Sequence, residues 1–172
     1  VQHPEFVKKA DGKPYTIYTP YSKVWKARLE PIHLLPAPEK IYTPKNIFSE
    51  PLPNHKTNLL FPAGETEALR RLDQFTNYQH LHLAQVQVSP ITNYQESRNR
   101  LDLDGTSSLS PYFRFGMLSL RQAVHAARNS QSLIPNSQGS ETWLNELIWR
   151  EFYIQILYHF PRVAKTSFNP SL

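Results

Sequence analysis

The stretch WLNELIWREFYIQILYHF, Trp143–Phe160, decides how the chain folds. At about 100° per residue, Leu144, Ile148, Phe152 and Ile156 share one side of a helix. Trp143, Glu146, Trp149, Arg150 and Tyr153 share much of another. Apolar groups therefore surround the helix, which is the pattern of a buried one. Ser140 and Glu141 open it and Pro161 closes it. One side mixes two tryptophans with an acid and a base, and buried charges are costly unless paired. Glu146 and Arg150 stand i, i+4 and are expected to pair. By pattern alone, a helix packed on both sides with an internal ion pair is the simpler account. The same side also suits a cavity floor, with flat rings for a planar ligand and charges aimed at its polar edge. A helix apolar on two sides calls for more partners than this chain supplies, so further sequence is expected.

Upstream, the pattern stays helical back to Gly64. Ser119 and Gln122 fit a capping box, after which Leu120, Ala123, Val124 and Ala127 line one face. Ser110 before Pro111 reads as a cap with proline in the first turn of PYFRF, and Gly116 stops that helix. Ser89 before Pro90 repeats the device and opens a short polar helix, ITNYQESRNR. Ala68, Leu69, Leu72 and Phe75 recur at helical spacing behind Glu65 and Glu67, acids placed where the helix dipole favours them.

The first third is different. Ten of the 15 prolines in this 172-residue chain lie at or before Pro62. Tyr15–Thr19 alternates β-branched and aromatic residues and is expected to form a short strand that Pro20 ends. One or two helical turns are expected over Tyr21–Lys26. Pro31, Pro36, Pro38, Pro44, Pro51 and Pro53 are too dense for regular structure. So long a loop is uncommon inside a compact domain; it either wraps a neighbouring domain or joins two.

The absence of cysteine excludes disulfides and thiolate metal sites, and no metal is expected. No apolar run approaches the roughly 20 residues of a bilayer span, and VQHPEFVKKADGKPY at the start has no signal-peptide core. A cytoplasmic protein without a membrane partner is the expectation. The chain begins with Val, which reads as a cut end. Lys and Arg exceed Asp and Glu by 5. That excess favours polyanions such as nucleic acid as partners, and it equally serves ordinary solubility.

One stretch crowds hydroxyls against aromatics: GTSSLSPYFRFG, Gly105–Gly116. Backbone N–H groups of a Gly-containing turn, with the hydroxyls of Thr106, Ser107 and Ser110, can cradle a phosphate without added positive charge. The following helix would contribute its N-terminal end, and Leu109 would anchor the turn. Capping by Ser110 is the plainer account, and on the turn alone it is the better one. There is no Gly-rich loop with a phosphate-binding lysine and no GxGxxG fingerprint.

Three stretches resemble the DNA photolyase/cryptochrome family in order and spacing: GETEALRRLDQF (64–75), YQESRNRLDLDGTSSLSPYFRFGMLSLRQ (94–122) and WLNELIWREFY (143–153). GKPYTIYTPYSKVWKA (12–27) resembles the end of that family's N-terminal antenna domain. The resemblance implies a mainly α fold. Residues 64–172 would be the N-terminal half of a helical FAD-binding domain, 29–63 an interdomain linker, and 1–28 the C-terminal remnant of an α/β antenna domain. It implies that Tyr94, Thr106, Ser107, Ser108, Leu109 and Ser110 hold the phosphates and ribitol of FAD, with Trp143 and Arg150 nearer the flavin. Arg98 matches a position near the DNA backbone. Glu146, Trp149, Arg150 and Tyr153 match the lining between flavin and a pyrimidine dimer flipped out of UV-damaged DNA. Trp149 would stack on the dimer and Glu146 would hydrogen-bond a base edge, which makes these two the expected catalytic pair.

The implied activity is light-driven, FAD-dependent repair of cyclobutane pyrimidine dimers, with a folate or deazaflavin antenna chromophore in the complete protein. The family's antenna domain and later helices do not occur in this chain. Alone it is expected to bind FAD weakly or not at all and to need those parts as partners. A cryptochrome-type flavin photoreceptor is one rival. A flavin-free helical DNA-binding remnant using Arg98, Arg114 and Arg150 is another. Glu146 with Trp149 leans toward repair, which needs a dimer-facing aromatic and an acceptor.

Overall fold

The computed structural model describes residues 1–51, 61–77, 89–133 and 138–169, and of Leu133 only the backbone. Helices α1 (Tyr18–Ala27), α2 (Glu65–Thr76), α3 (Tyr94–Ser97), α4 (Ser110–Arg114), α5 (Leu120–Leu133) and α6 (Gln138–His159) follow in order. Turns of 3₁₀ helix lie at Pro4–Phe6, Pro90–Asn93 and Pro161–Ala164. Among the described residues there is no strand, only one antiparallel bridge between Lys8 and Pro14. The fold is mainly α.

Helix α6 is the hub. It buries Trp143, Leu144, Leu147, Ile148 and Phe152, and α1, α3 and α5 all pack on it. From α5 come Ala123, Val124 and Ala127, small residues at helical spacing that let the two helices approach closely. At the start of α6, Gly139 lies against the Ile91 and Thr92 carbonyls, where a Cβ has no room. Tyr21 and Trp25 of α1 cover another side, and Trp25 is fully buried.

From the first 28 residues, Val7, Tyr21 and Trp25 belong to this core. Glu151 is buried, and its carboxylate is provided for. It accepts the Gln2 backbone N–H at 3.0 Å, and the Trp25 indole N–H lies 3.5 Å away. Gln2 in turn donates its side-chain amide to the Trp25 carbonyl at 2.7 Å. Farther along α6, the Gln155 amide donates to the Tyr15 carbonyl at 2.8 Å. Burial of a carboxylate is tolerable where several donors meet it. After Phe152, α6 is covered on fewer sides, and Tyr153, Ile154, Leu157 and Tyr158 are exposed.

Several local expectations hold. Ser119 Oγ accepts the Gln122 N–H at 3.4 Å while Gln122 Oε1 accepts the Ser119 N–H at 3.0 Å, the reciprocal bonds of a capping box, and the Arg121 N–H also reaches Ser119 Oγ at 3.1 Å. Gly116 has φ 70°, and the Met117 N–H closes onto the Tyr112 carbonyl at 2.9 Å to end α4. Residues 29–51 contain neither helix nor strand. The rest of the expected linker partly falls on 52–60, outside the described residues.

Others do not hold. No strand forms over Tyr15–Thr19; the chain turns helical at Tyr18 and runs through Pro20. A proline in the first helical turn surrenders an N–H that has no intrahelical partner anyway, so Pro20 starts a helix rather than ending a strand. Helix α6 begins at Gln138, ahead of Ser140, which is buried. Leu69 is exposed while Ala68, Leu72 and Phe75 are buried. Ser110 does not cap α4: Leu109 holds the cap position without a side-chain bond, and Ser110 is the first helical residue. Ser89 sits at the cap of the 90–93 turn, but its hydroxyl faces Thr92 Oγ1 at 3.4 Å rather than the backbone.

Candidate cofactor and nucleic-acid site

The hydroxyl turn is built on a close approach. An added Cβ at Gly105 would lie 2.7 Å from the Ser97 carbonyl oxygen, so only glycine lets the turn dock on α3. Ser97 Oγ donates to the Gly105 carbonyl at 3.1 Å. Leu109 is buried and pins the far end of the turn. Between them Ser108 has φ 50°, a left-handed conformation unusual for serine. Thr106 and Ser110 are exposed, Ser107 and Ser108 half-buried. Thr106 and Ser108 oxygens lie 3.5 Å apart. With no capping bond at Ser110, the plainer reading of this hydroxyl cluster loses its main support. Helix α4 has five residues, too few for a substantial dipole at its N-terminus.

From α3 onward the chain reaches α6. Arg98, next to Ser97, forms an ion pair with Glu146. Its guanidinium also lies over the Tyr94 ring, 5.9 Å from the centroid. Consecutive residues thus touch both parts: Ser97 holds the hydroxyl turn and Arg98 holds the charged face of α6. A second tie runs from Arg150, which donates to the Phe113 carbonyl of α4 at 3.3 Å and lies over the Phe113 ring at 5.8 Å.

The expected ion pair between Glu146 and Arg150 is therefore absent. An i, i+4 pair on a helix surface contributes only about 0.2–0.5 kcal/mol. Partners brought by neighbouring elements displace it: Arg98 takes Glu146, and the Phe113 carbonyl takes Arg150.

The aromatic residues of α6 divide. Trp143 is 2% exposed and packs on Phe75, ring centroids 5.0 Å apart. Phe75 meets Tyr94 edge-on at 5.6 Å. Trp143 and Tyr94 thus belong to a buried aromatic cluster. Trp149 is half-buried, and Tyr18 of α1 stacks on it with centroids 3.6 Å apart and planes 4° from parallel. The Tyr18 hydroxyl donates to the Asn145 carbonyl at 3.0 Å. Phe152 stands edge-on to both rings, at 5.9 Å from Tyr18 and 5.6 Å from Trp149. Tyr153, exposed, also lies nearly parallel to Trp149, with centroids 5.6 Å apart and planes 24° apart.

Electrostatics follow the packing. Burial, then the Glu146 and Glu141 charges, push the Tyr18 phenol up to about 12. Burial and then Glu146 raise Tyr94, with Arg98 acting against them. Both phenols stay protonated at neutral pH. Among the described residues no cluster of three His, Asp or Glu could hold a metal ion. Open grooves of about 840 and 350 Å³ lie elsewhere, the first lined by Arg28, Ile32, His33 and Arg121 and the second by His125 and Arg128. Neither includes a residue expected at the cofactor or DNA site.

Three residues at this site carried no signal in the sequence: Ser97, Phe113 and Tyr18. Ser97 and Phe113 act through backbone carbonyls or to them, which no residue pattern advertises. Tyr18 lies more than a hundred residues from Trp149, and only the folded chain brings them together.

No family model matches the chain. It is 34% identical over 157 residues to a deoxyribodipyrimidine photo-lyase of Thermus thermophilus, covering 91% of this chain and 32% of the relative. It is 30% identical over 193 aligned positions to the deoxyribodipyrimidine photo-lyase of Neurospora crassa, covering 98% of this chain and 30% of the relative. Among solved structures, a bacterial class III photolyase from Agrobacterium tumefaciens superposes with a TM-score of 0.76 at 25% identity. That match covers 99% of this chain and 35% of the other. The chain spans about a third of the length of the relatives it matches.

Proposed function

The chain belongs to the DNA photolyase/cryptochrome family, and from that premise we propose that it forms part of the FAD pocket and the damage-reading surface of a light-driven pyrimidine-dimer lyase. The observation that carries the proposal is the Ser97–Arg98 link, which ties the hydroxyl turn to the charged, aromatic face of α6. A site that must grip a dinucleotide and present a base to it needs these two parts side by side.

The donor set suits FAD. Thr106 and Ser110 expose hydroxyls, and among the described residues the Ser107 and Ser110 hydroxyls have no protein partner. Hydroxyls and turn N–H groups of this kind hold a pyrophosphate without introducing a competing cation. In this proposal Thr106, Ser107, Ser108 and Ser110 hold the phosphates, Leu109 shapes the turn, and Tyr94 lies beneath. Trp143 supports the flavin side from the core, with Arg150 above it. Reduced FAD, when bound, would supply the electron that opens the cyclobutane ring and would recover it when the two carbon–carbon bonds have broken.

On the DNA side, Trp149 offers its ring to a flipped dimer, and Tyr18 already occupies one face, so the base stacks on the face turned away from Tyr18. Extracting a damaged base costs a few kcal/mol, which stacking of about 1–3 kcal/mol per base helps to offset. Glu146 accepts a hydrogen bond from the base edge, and Arg98, released from it, meets a phosphate in a bidentate way. Arg150 and Tyr153 complete the DNA-facing rim. The division into 1–28, 29–63 and 64–172, an antenna chromophore of folate or deazaflavin type, and a cytoplasmic site of action belong to the same proposal. Among the described residues no helix is long and apolar enough to cross a membrane.

The test is repair by the full-length gene product loaded with FAD. Light-dependent loss of cyclobutane dimers from UV-irradiated DNA is the expected result. A flavin-loaded protein that leaves the dimers intact under light would turn the reading toward a photoreceptor. A protein that binds DNA and shows no flavin absorption would turn it toward a helical DNA-binding module.

A further inference from the structure

Resting on that reading, we infer that Tyr18 is a positioning residue that fixes the plane of Trp149 and so sets how strongly the site prefers a flipped dimer to ordinary DNA. An isolated half-buried tryptophan samples rotamers about both side-chain torsions. A ring that must receive a base cannot do so without losing affinity to the ordering it then undergoes. Here the ordering is already done. Tyr18 covers one face of Trp149 at 3.6 Å and 4°, and Phe152 closes its edge. The Tyr18 ring is itself held, by its hydroxyl on the Asn145 carbonyl at 3.0 Å and by Phe152 edge-on at 5.9 Å. Because Asn145 lies on α6 one turn before Trp149, the clamp is anchored to the helix that carries the ring it clamps.

The arrangement also makes Trp149 one-sided. With Tyr18 on one face, a base can stack only on the face turned away from Tyr18; exposed Tyr153, nearly parallel to Trp149 with centroids 5.6 Å apart, lies beside that ring. Tyr18 itself touches no ligand in this scheme, since Trp149 lies between them; it acts through Trp149. Burial keeps its phenol protonated, so the anchoring hydrogen bond persists at neutral pH.

The experiment uses the full-length, FAD-loaded protein and its Tyr18→Phe and Tyr18→Leu variants, with Tyr18→Met in reserve should the leucine variant not accumulate. Two quantities are read: the ratio of affinities for dimer-containing and undamaged duplex, and the ¹⁹F resonance of fluorotryptophan at position 149, assigned by Trp149→Phe. Phenylalanine keeps the stack, so its ratio stays within about twofold of the parent. Leucine removes the ring; the ratio falls by about fivefold, affinity for undamaged DNA is unchanged, and the ring-current shift at Trp149 disappears. A leucine variant with the parent's ratio overturns the role of Tyr18 and leaves the repair reading standing. An unchanged ¹⁹F shift overturns the stack itself. A parent protein without dimer preference defeats the repair reading and this inference with it.

Discussion

Trp143 and Trp149 stand six residues apart on one helix, and the fold uses them in opposite ways. Trp143 is buried against Phe75, in a cluster that includes Tyr94. Trp149 is half-buried, backed by Tyr18 of α1, edged by Phe152 and next to the exposed Arg150 and Tyr153. The same side chain is a keystone of the core in one place and a presented surface in the other. What separates them is the neighbourhood: Phe75 of α2 packs on Trp143 in the core, whereas the Trp149 ring stacks on Tyr18 of α1 at the edge of that core. A residue pattern that places both on one side of a helix cannot tell these uses apart.

Truncation gives the sharpest separation. Trp143→Ala removes a fully packed indole and is expected to lower unfolding stability by about 3–5 kcal/mol, measured by denaturant titration. A loss below about 1 kcal/mol would mean that the cluster relaxes around the gap and that Trp143 is not a keystone. Trp149→Ala is expected to do the reverse. It costs less stability but lowers the preference for dimer over undamaged DNA by about fivefold or more, the scale of one lost base stack. Equal preference in variant and parent would remove its stacking role.

The next effect concerns charge. Arg98 is paired to Glu146, and in the proposed complex it turns to phosphate. Arg98→Ala should therefore weaken binding to damaged DNA and make the salt dependence shallower by about one unit of slope. An unchanged slope would confine Arg98 to holding Glu146.

The smallest effect is a pH dependence on the Trp149 side. Tyr18 is raised from its ordinary value of 10.0 to about 12. The folded chain thus holds this proton more tightly than the unfolded chain does. The corresponding stabilisation is complete below about pH 10 and is lost as pH rises toward 12. Tyr18→Phe should flatten that part of the stability profile relative to the parent. Superimposable profiles over the interval would show that Tyr18 is not shielded by Trp149 and Phe152.

Much of the fold is legible in the sequence because it is local. The capping box at Ser119 and Gln122, the stop at Gly116, the helix from Glu65 and the two-sided apolar pattern of α6 all depend on residues a few positions apart. Sequence and structure part where a residue type serves two local purposes or where the partner is distant. Pro20 both ends strands and starts helices, and the i, i+3, i+4 set Tyr18, Tyr21, Ser22 and Trp25, running across it, is the signal for α1. Ser110 resembles a cap, yet Leu109 takes that place because its side chain is drawn into the core. Spacing pairs Glu146 with Arg150, and the fold offers each a closer partner. The hydroxyl turn and the α6 face are visible as separate features; the Ser97–Arg98 link between them is not, since one half of it ends on a backbone carbonyl.

The direct measurement is a crystal structure of the full-length protein with FAD and a dimer-containing duplex. The account predicts a FAD phosphate oxygen within hydrogen-bond reach of Thr106, Ser107 or Ser110, and a flipped base on the face of Trp149 turned away from Tyr18. A dinucleotide seated elsewhere, with the hydroxyl turn open to solvent and no base against Trp149, would contradict it.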